Sequence, residues 1–146
     1  MERLKTKYEE AIKSTTSLTR IITIIEKEQH TLFLEFIDEK KKNEAFQILR
    51  DSLIQRFEYS VDTVWKYIKE YLFKKRGIDL SHPKPVFREC LRSKLANEKE
   101  VSLLIDMIDD RNITSHAYKE NVAKKISEKV QEYCNIMKKL LKIAKP

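Results

Sequence analysis

One glycine, Gly77, is all that this 146-residue chain contains. β-Sheets turn back on themselves through residues that tolerate unusual backbone angles, and a lone glycine with three prolines supplies too few of them. What remains is rich in Lys, Glu, Leu and Ile, which favour helix. Apolar residues recur at helical spacing through Leu4, Tyr8, Ala11, Ile12, Thr15, Leu18, Ile22 and Ile25. Leu32, Phe33, Phe36 and Ile37 either prolong that helix or form a short second piece. The charged run Asp38 to Glu44 reads as a turn. A long helix follows, with Phe46, Leu49, Leu53, Phe57, Val61, Val64, Trp65, Ile68 and Leu72 on one face. Lys74-Lys75-Arg76-Gly77 closes it, basic residues suiting a helix C-terminus and glycine its cap.

Ser81-His82-Pro83-Lys84-Pro85 is a connector into a short helix over Lys84 to Ser93. Asn97, with Glu98 and Glu100 behind it, reads as the N-cap of the next helix. A last helix begins near Glu120 and turns Val122, Ile126, Val130, Tyr133, Met137, Leu140 and Leu141 inward. The expected fold is all-α, a single domain over residues 1–146. It is an up-and-down bundle of four principal helices plus a short extra helix.

Several chemistries are excluded by what is missing. With a single glycine there is no phosphate loop or dinucleotide fingerprint. His30, His82 and His116 are scattered, and Cys90 and Cys134 stand alone, so neither a metal site nor a disulfide framework is expected. The thiols read as buried and reduced. Ile21 to Ile25, the most apolar stretch, is too short for a membrane, and the N-terminus does not resemble a signal peptide. A soluble, cytoplasmic protein without a cofactor is expected. Thirty basic residues against 23 acidic ones give a net charge of +7, which suits a polyanionic partner, nucleic acid first, without specifying one. Lys66, Lys69, Lys74, Lys75 and Arg76 either track such a backbone or form a solvated face.

One segment breaks the pattern. Val101, Leu104, Ile105 and Ile108 lay down an apolar stripe, and its continuation falls on Arg111, Asn112, Ser115 and His116. Polar side chains in core-facing register are costly unless hydrogen-bonded or used. An arginine that stabilises phosphate charge and a histidine that moves protons near neutral pH can together cleave RNA, which brings its own 2′-hydroxyl nucleophile. On one regular helix, however, Arg111 and His116 lie about 140° apart. Either the helix unwinds at Thr114-Ser115, or two copies share the site across a two-fold axis; the shared site is favoured. The plainer alternative pairs Arg111 with Asp109 or Asp110 and leaves His116 as an interhelical contact.

Arg111-Asn112-x-x-x-His116-x-Tyr118 resembles the RNxxxHxY motif of HEPN-domain ribonucleases, and more closely the HepT-like toxins, also called nucleotidyltransferase substrate-binding proteins. Gln55 to Ser60 with Val64-Trp65-Lys66 and Tyr71-Leu72 looks like the second long helix of that family. Pro85 to Cys90 and Met107 to Asn112 follow in the same order, so the resemblance spans about residues 45 to 143, with a poorer match before it. It implies a homodimer whose two motifs form one metal-independent RNase site, with Arg111 and His116 catalytic and Asn112 positioning. It also implies a nucleotidyltransferase antitoxin partner that adenylylates Tyr118. Glu58 and Ser115 are the expected supporting residues, and Trp65 is expected in the core. The contrasting reading is a non-catalytic subunit that binds substrate or nucleotide for the nucleotidyltransferase.

Overall fold

A computed structural model describes residues 1–34, 39–114 and 119–146, with the side chains of 28–34 and 119–120 left aside. The described residues form five helices and no strand. These are α1 (Glu2–Leu34), α2 (Glu39–Arg76), α3 (Pro83–Arg92), α4 (Glu98–Ile113) and α5 (Lys119–Ile143). The all-α expectation holds, with four long helices and one short one.

Contacts fix how the helices run. Arg3 meets Glu70, Tyr8 packs on Tyr67, and Ser14 meets Thr63, so α1 and α2 are antiparallel. Small hydroxyl residues occupy this seam: Ser14 Oγ lies 2.6 Å from Thr63 Oγ1, and Ser60 Oγ lies 3.0 Å from the Ser14 carbonyl. Each buried hydroxyl thus has a partner, which removes the desolvation cost of placing it there. α5 runs parallel to α2. The Phe57 ring stacks on Tyr133 at 5.8 Å, and further along the Tyr67 hydroxyl donates to the Ala144 carbonyl. Burial raises the pKa of the Tyr67 hydroxyl, which therefore stays protonated and donating. Around these rings Phe57, Ile68, Leu72, Phe87, Leu104 and Met107 are fully buried.

Three local outcomes differ from the sequence reading. The run from Glu39 to Glu44 is helical, being the first turns of α2, because Glu and Lys are strong helix formers and no glycine or proline interrupts them. α1 continues to Leu34, so Leu32 and Phe33 prolong it, whereas Phe36 and Ile37 lie outside the described residues. The short helix starts at Pro83 rather than Lys84, since proline is well suited to the first helical turn.

The expected stop at Gly77 is present. Its φ of +68° lets its N–H reach the Phe73 carbonyl, and Ile78 N–H the Leu72 carbonyl. α3 ends the same way without glycine. Lys94 takes a φ of 59°, with Lys94 N–H donating to Leu91 and Leu95 N–H to Cys90. The Cys90 thiol beneath this turn has its pKa pushed up to about 12, by burial and then by Glu89, so it is an inert packing group.

α4 begins at a capping box. The Asn97 side chain accepts from Glu100 N–H at 2.8 Å, and the Glu100 carboxylate accepts from Asn97 N–H at 3.0 Å. Lys139 on α5 lies 2.6 Å from the same carboxylate. Hydrogen bonding to Lys139, then to the Asn97 backbone, holds Glu100 below the ordinary carboxylate range. A depressed carboxyl stabilises the fold above its unfolded pKa of about 4.3, and that contribution fades as pH falls through the lower folded value. Urea midpoints of wild type and Glu100→Gln should therefore differ most near neutrality and converge in acid. A gap that persists undiminished at low pH would refute this account of the cap.

Candidate functional site

The C-terminal end of α4 carries two neighbouring charges that face opposite ways. Successive residues of a helix are rotated by about 100°, so Asp110 and Arg111 cannot meet the same neighbour. Asp110 turns toward α5 and is buried, at 4% exposure. It accepts from the Tyr133 hydroxyl at 2.5 Å and pairs with Lys125 Nζ at 3.2 Å. Burial first, then the bond to Asp110, raises the Tyr133 pKa and keeps its proton in place.

Arg111 turns toward α2. Its Nε donates to Asp62 Oδ1 at 3.2 Å and its Nη2 to Asp62 Oδ2 at 3.1 Å, a bidentate fork. Glu58, one turn earlier on the same helix as Asp62, lies 3.6 Å from Nη1. The hydrogen bonds to Asp62 raise the Arg111 pKa against the opposing effect of burial, so the guanidinium stays fully charged. All three side chains are half-buried, which makes the cluster reachable from solvent. Asp62 takes two of the five N–H donors of the guanidinium and fixes its plane.

Thr114 caps this helix end by donating to the Arg111 carbonyl at 2.6 Å. A cleft of about 260 Å³ opens beside it, lined by Asp51, Ile54, Gln55, Glu58, Thr114 and Val122. Arg111 thus stands over an acidic wall, one cation beside two carboxylates. A phosphate brought here gains from Arg111 and is repelled by Asp62 and Glu58, so further positive charge or displacement of a carboxylate is needed to hold it.

The sequence-derived site is brought together only in part. Arg111 does not pair with Asp109 or Asp110; Asp109 instead reaches Lys84 at 2.5 Å. Asn112 is exposed rather than core-facing, because the buried face of α4 runs through Leu104, Met107 and Ile108 to Asp110. Glu58 does contact Arg111. Ser115, His116 and Tyr118 lie outside the described residues. Trp65 is half-buried against the core. Lys66, Lys74, Lys75 and Arg76 are exposed and Lys69 is half-buried. Among the described residues no group of His, Cys, Asp or Glu could hold a metal ion, and no helix is long and apolar enough to cross a membrane.

Sequence reasoning missed Asp62 and Asp110. Asp62 had a signal, since Glu58 and Asp62 stand four apart on one helix face next to the core stripe of a basic chain. Asp110 had none, because its partners lie 15 and 23 positions away on another helix.

Comparison with known proteins gives three findings. The profile of a family described as nucleotidyltransferase substrate binding protein like matches residues 6–145, so the likeness reaches back through α1 rather than starting near residue 45. A Thermus thermophilus protein of known crystal structure is 29% identical. It superposes with a TM-score of 0.73 over 93% of this chain and 99% of its own. A toxin–antitoxin crystal structure with AMP-PNP has a TM-score of 0.69 over 97% of each chain at 12% identity, a likeness of fold alone. No curated protein matches the sequence.

Because the Tyr133–Asp110 bond is fully buried, its two halves respond unequally. Tyr133→Phe leaves Asp110 its Lys125 partner and should cost about 1 kcal/mol in chemical denaturation. Asp110→Ala strands the tyrosine hydroxyl and should cost about 1–3 kcal/mol. Equal small losses would show that the carboxylate is dispensable to α4 docking.

Proposed function

Since the chain belongs to the nucleotidyltransferase substrate-binding-like family, we propose that it is the toxin of a toxin–antitoxin pair, a metal-independent endoribonuclease held in check by a nucleotidyltransferase antitoxin. The observation that carries this is Arg111 itself. Its guanidinium is fixed by Asp62 and braced by Glu58 beside an open cleft, at the start of the Arg111-to-Tyr118 motif. The same clamp that ties α4 to α2 holds the guanidinium plane still at a solvent-reachable helix end. The family match and the toxin–antitoxin fold likeness support the same reading.

The proposed chemistry follows from the motif. His116 takes the proton of a ribose 2′-hydroxyl, whose oxygen attacks the adjacent phosphorus. The bond to the 5′-oxygen breaks, and that oxygen receives a proton from the imidazolium of the second copy. Products are a 2′,3′-cyclic phosphate and a 5′-hydroxyl end. Arg111 offsets the charge gathered on the phosphoryl oxygens. A homodimer supplies two copies of Arg111 and His116 to one cleft, with Asn112 and Ser115 positioning. Transfer of AMP from ATP to the Tyr118 hydroxyl, with release of pyrophosphate, adds negative charge at this cleft and repels RNA.

A second reading rests on the family description, in which the chain binds substrate for the nucleotidyltransferase and cleaves nothing. A nuclease assay with EDTA present separates the two. Wild type should leave 2′,3′-cyclic phosphate ends, and His116→Ala and Arg111→Ala should lose at least about 100-fold in rate. Identical traces from wild type and His116→Ala, at concentrations that hold the dimer, would favour the binding subunit.

A further inference from the structure

A second and larger cleft lies between α1, α2 and α5, away from the Asp62–Arg111 pair. Its volume is about 520 Å³, within the range of roughly 300–1,000 Å³ typical of small-ligand sites. Ile25, Phe46, Leu49 and Leu53 supply an apolar floor, and Arg50, Asn121, Lys124 and Ser127 the polar margin. Every charge lining it is positive. Arg50 and Lys124 are exposed, and among the described residues neither has a carboxylate partner, unlike Lys84, Lys125 and Lys139. The contrast with the neighbouring cleft is sharp: Asp51 and Glu58 line that one, although it draws on the next residues of the same helix.

An apolar floor carrying a phenyl ring, between two cations and beside a side-chain amide, matches one chemical class closely. The geometry points to a site for a single nucleotide, its base against Phe46 and Leu49 and its phosphate between Arg50 and Lys124. Aromatic and aliphatic surface accepts any base face, and paired cations accept a phosphate without reading sequence. Asn121, whose amide both donates and accepts, can address a base edge. Asn121 lies in the first turn of α5, next to Val122, which lines the acidic cleft. The two clefts therefore adjoin, and a strand could place one nucleotide here and its neighbouring phosphate toward Arg111. The cleft's own chemistry stands independently, whereas the choice of RNA over a free nucleotide rests on the endoribonuclease reading.

The test is direct binding, read without cleavage. The probes are 5′-AMP and 2′-O-methyl pentanucleotides of each of the four bases, which lack the free hydroxyl that cleavage requires. Wild type should bind, and the double variant Arg50→Ala/Lys124→Ala should bind at least about tenfold more weakly. Its plot of log affinity against log salt should flatten by about 1.4, two contacts at about 0.7 each for a single strand. Phe46→Leu, which keeps the floor apolar, should weaken binding without changing that slope. Tighter binding of pentamers assigns the site to RNA, and preferential binding of AMP assigns it to a free nucleotide; both support the cleft. No binding of any probe at millimolar concentration, or equal binding by the folded double variant, overturns it. A chain that binds these probes but leaves unmodified RNA intact in the nuclease assay refutes the nuclease reading and leaves the cleft standing.

Discussion

Two adjacent side chains at the end of α4 tie three helices into one body. Asp110 engages Tyr133 and Lys125 on α5, and Arg111 engages Asp62 and Glu58 on α2. Burying charge is costly, and the interior offsets that cost only when geometry and extra hydrogen bonds are good. Here Asp110 has both a cation and a hydroxyl, and Arg111 a two-pronged carboxylate. Removing one member would leave the other uncompensated, so the pairs work as locks on helix position more than as net sources of stability. The N-terminal end of α4 is held by a third polar lock, the Asn97–Glu100 box with Lys139. Between them the apolar face of Leu104, Met107 and Ile108 is left to pack.

This arrangement explains how a basic protein comes to have an acidic patch where a polyanion is proposed to react. The net charge of +7 is carried at a distance, on exposed lysines such as those near the end of α2. On the proposed reading, long-range attraction of RNA uses that charge, whereas the local field around Arg111 is set by Asp62 and Glu58. Orientation and affinity are thereby separated. The carboxylates hold the guanidinium plane still, which in the proposed reaction favours a transition state over a loosely bound ground state.

How much of this is legible in the sequence follows from the range of the interactions. Helix number, the cap at Asn97 and the stop at Gly77 depend on residues within a turn or two of each other, and periodicity reveals them. The start of α2 misleads because its charge density suggests a turn, although Glu39 to Glu44 is mostly Glu and Lys, which are at ease in a helix. Lys94 carries a left-handed turn that normally selects glycine, so nothing local announces it. Asn112 falls inward only if the apolar stripe is extended past the point where the helix turns its polar end outward. Asp62 and Asp110 depend on contacts 49 and 23 residues away and emerge only in three dimensions.

The rotation of about 100° between neighbouring residues that lets Asp110 and Arg111 lock different helices also bears on catalysis. A helix end that commits one side chain to α5 and the next to α2 has its position fixed from two sides. Arg111 cannot swing toward a residue further along the chain without giving up Asp62. On the proposed reading the reacting phosphate must therefore come to the arginine. In the proposed two-fold arrangement each protomer brings an arginine fixed in this same way. The rigidity that holds the bundle together thus also holds still the arginine on which the proposed reading depends.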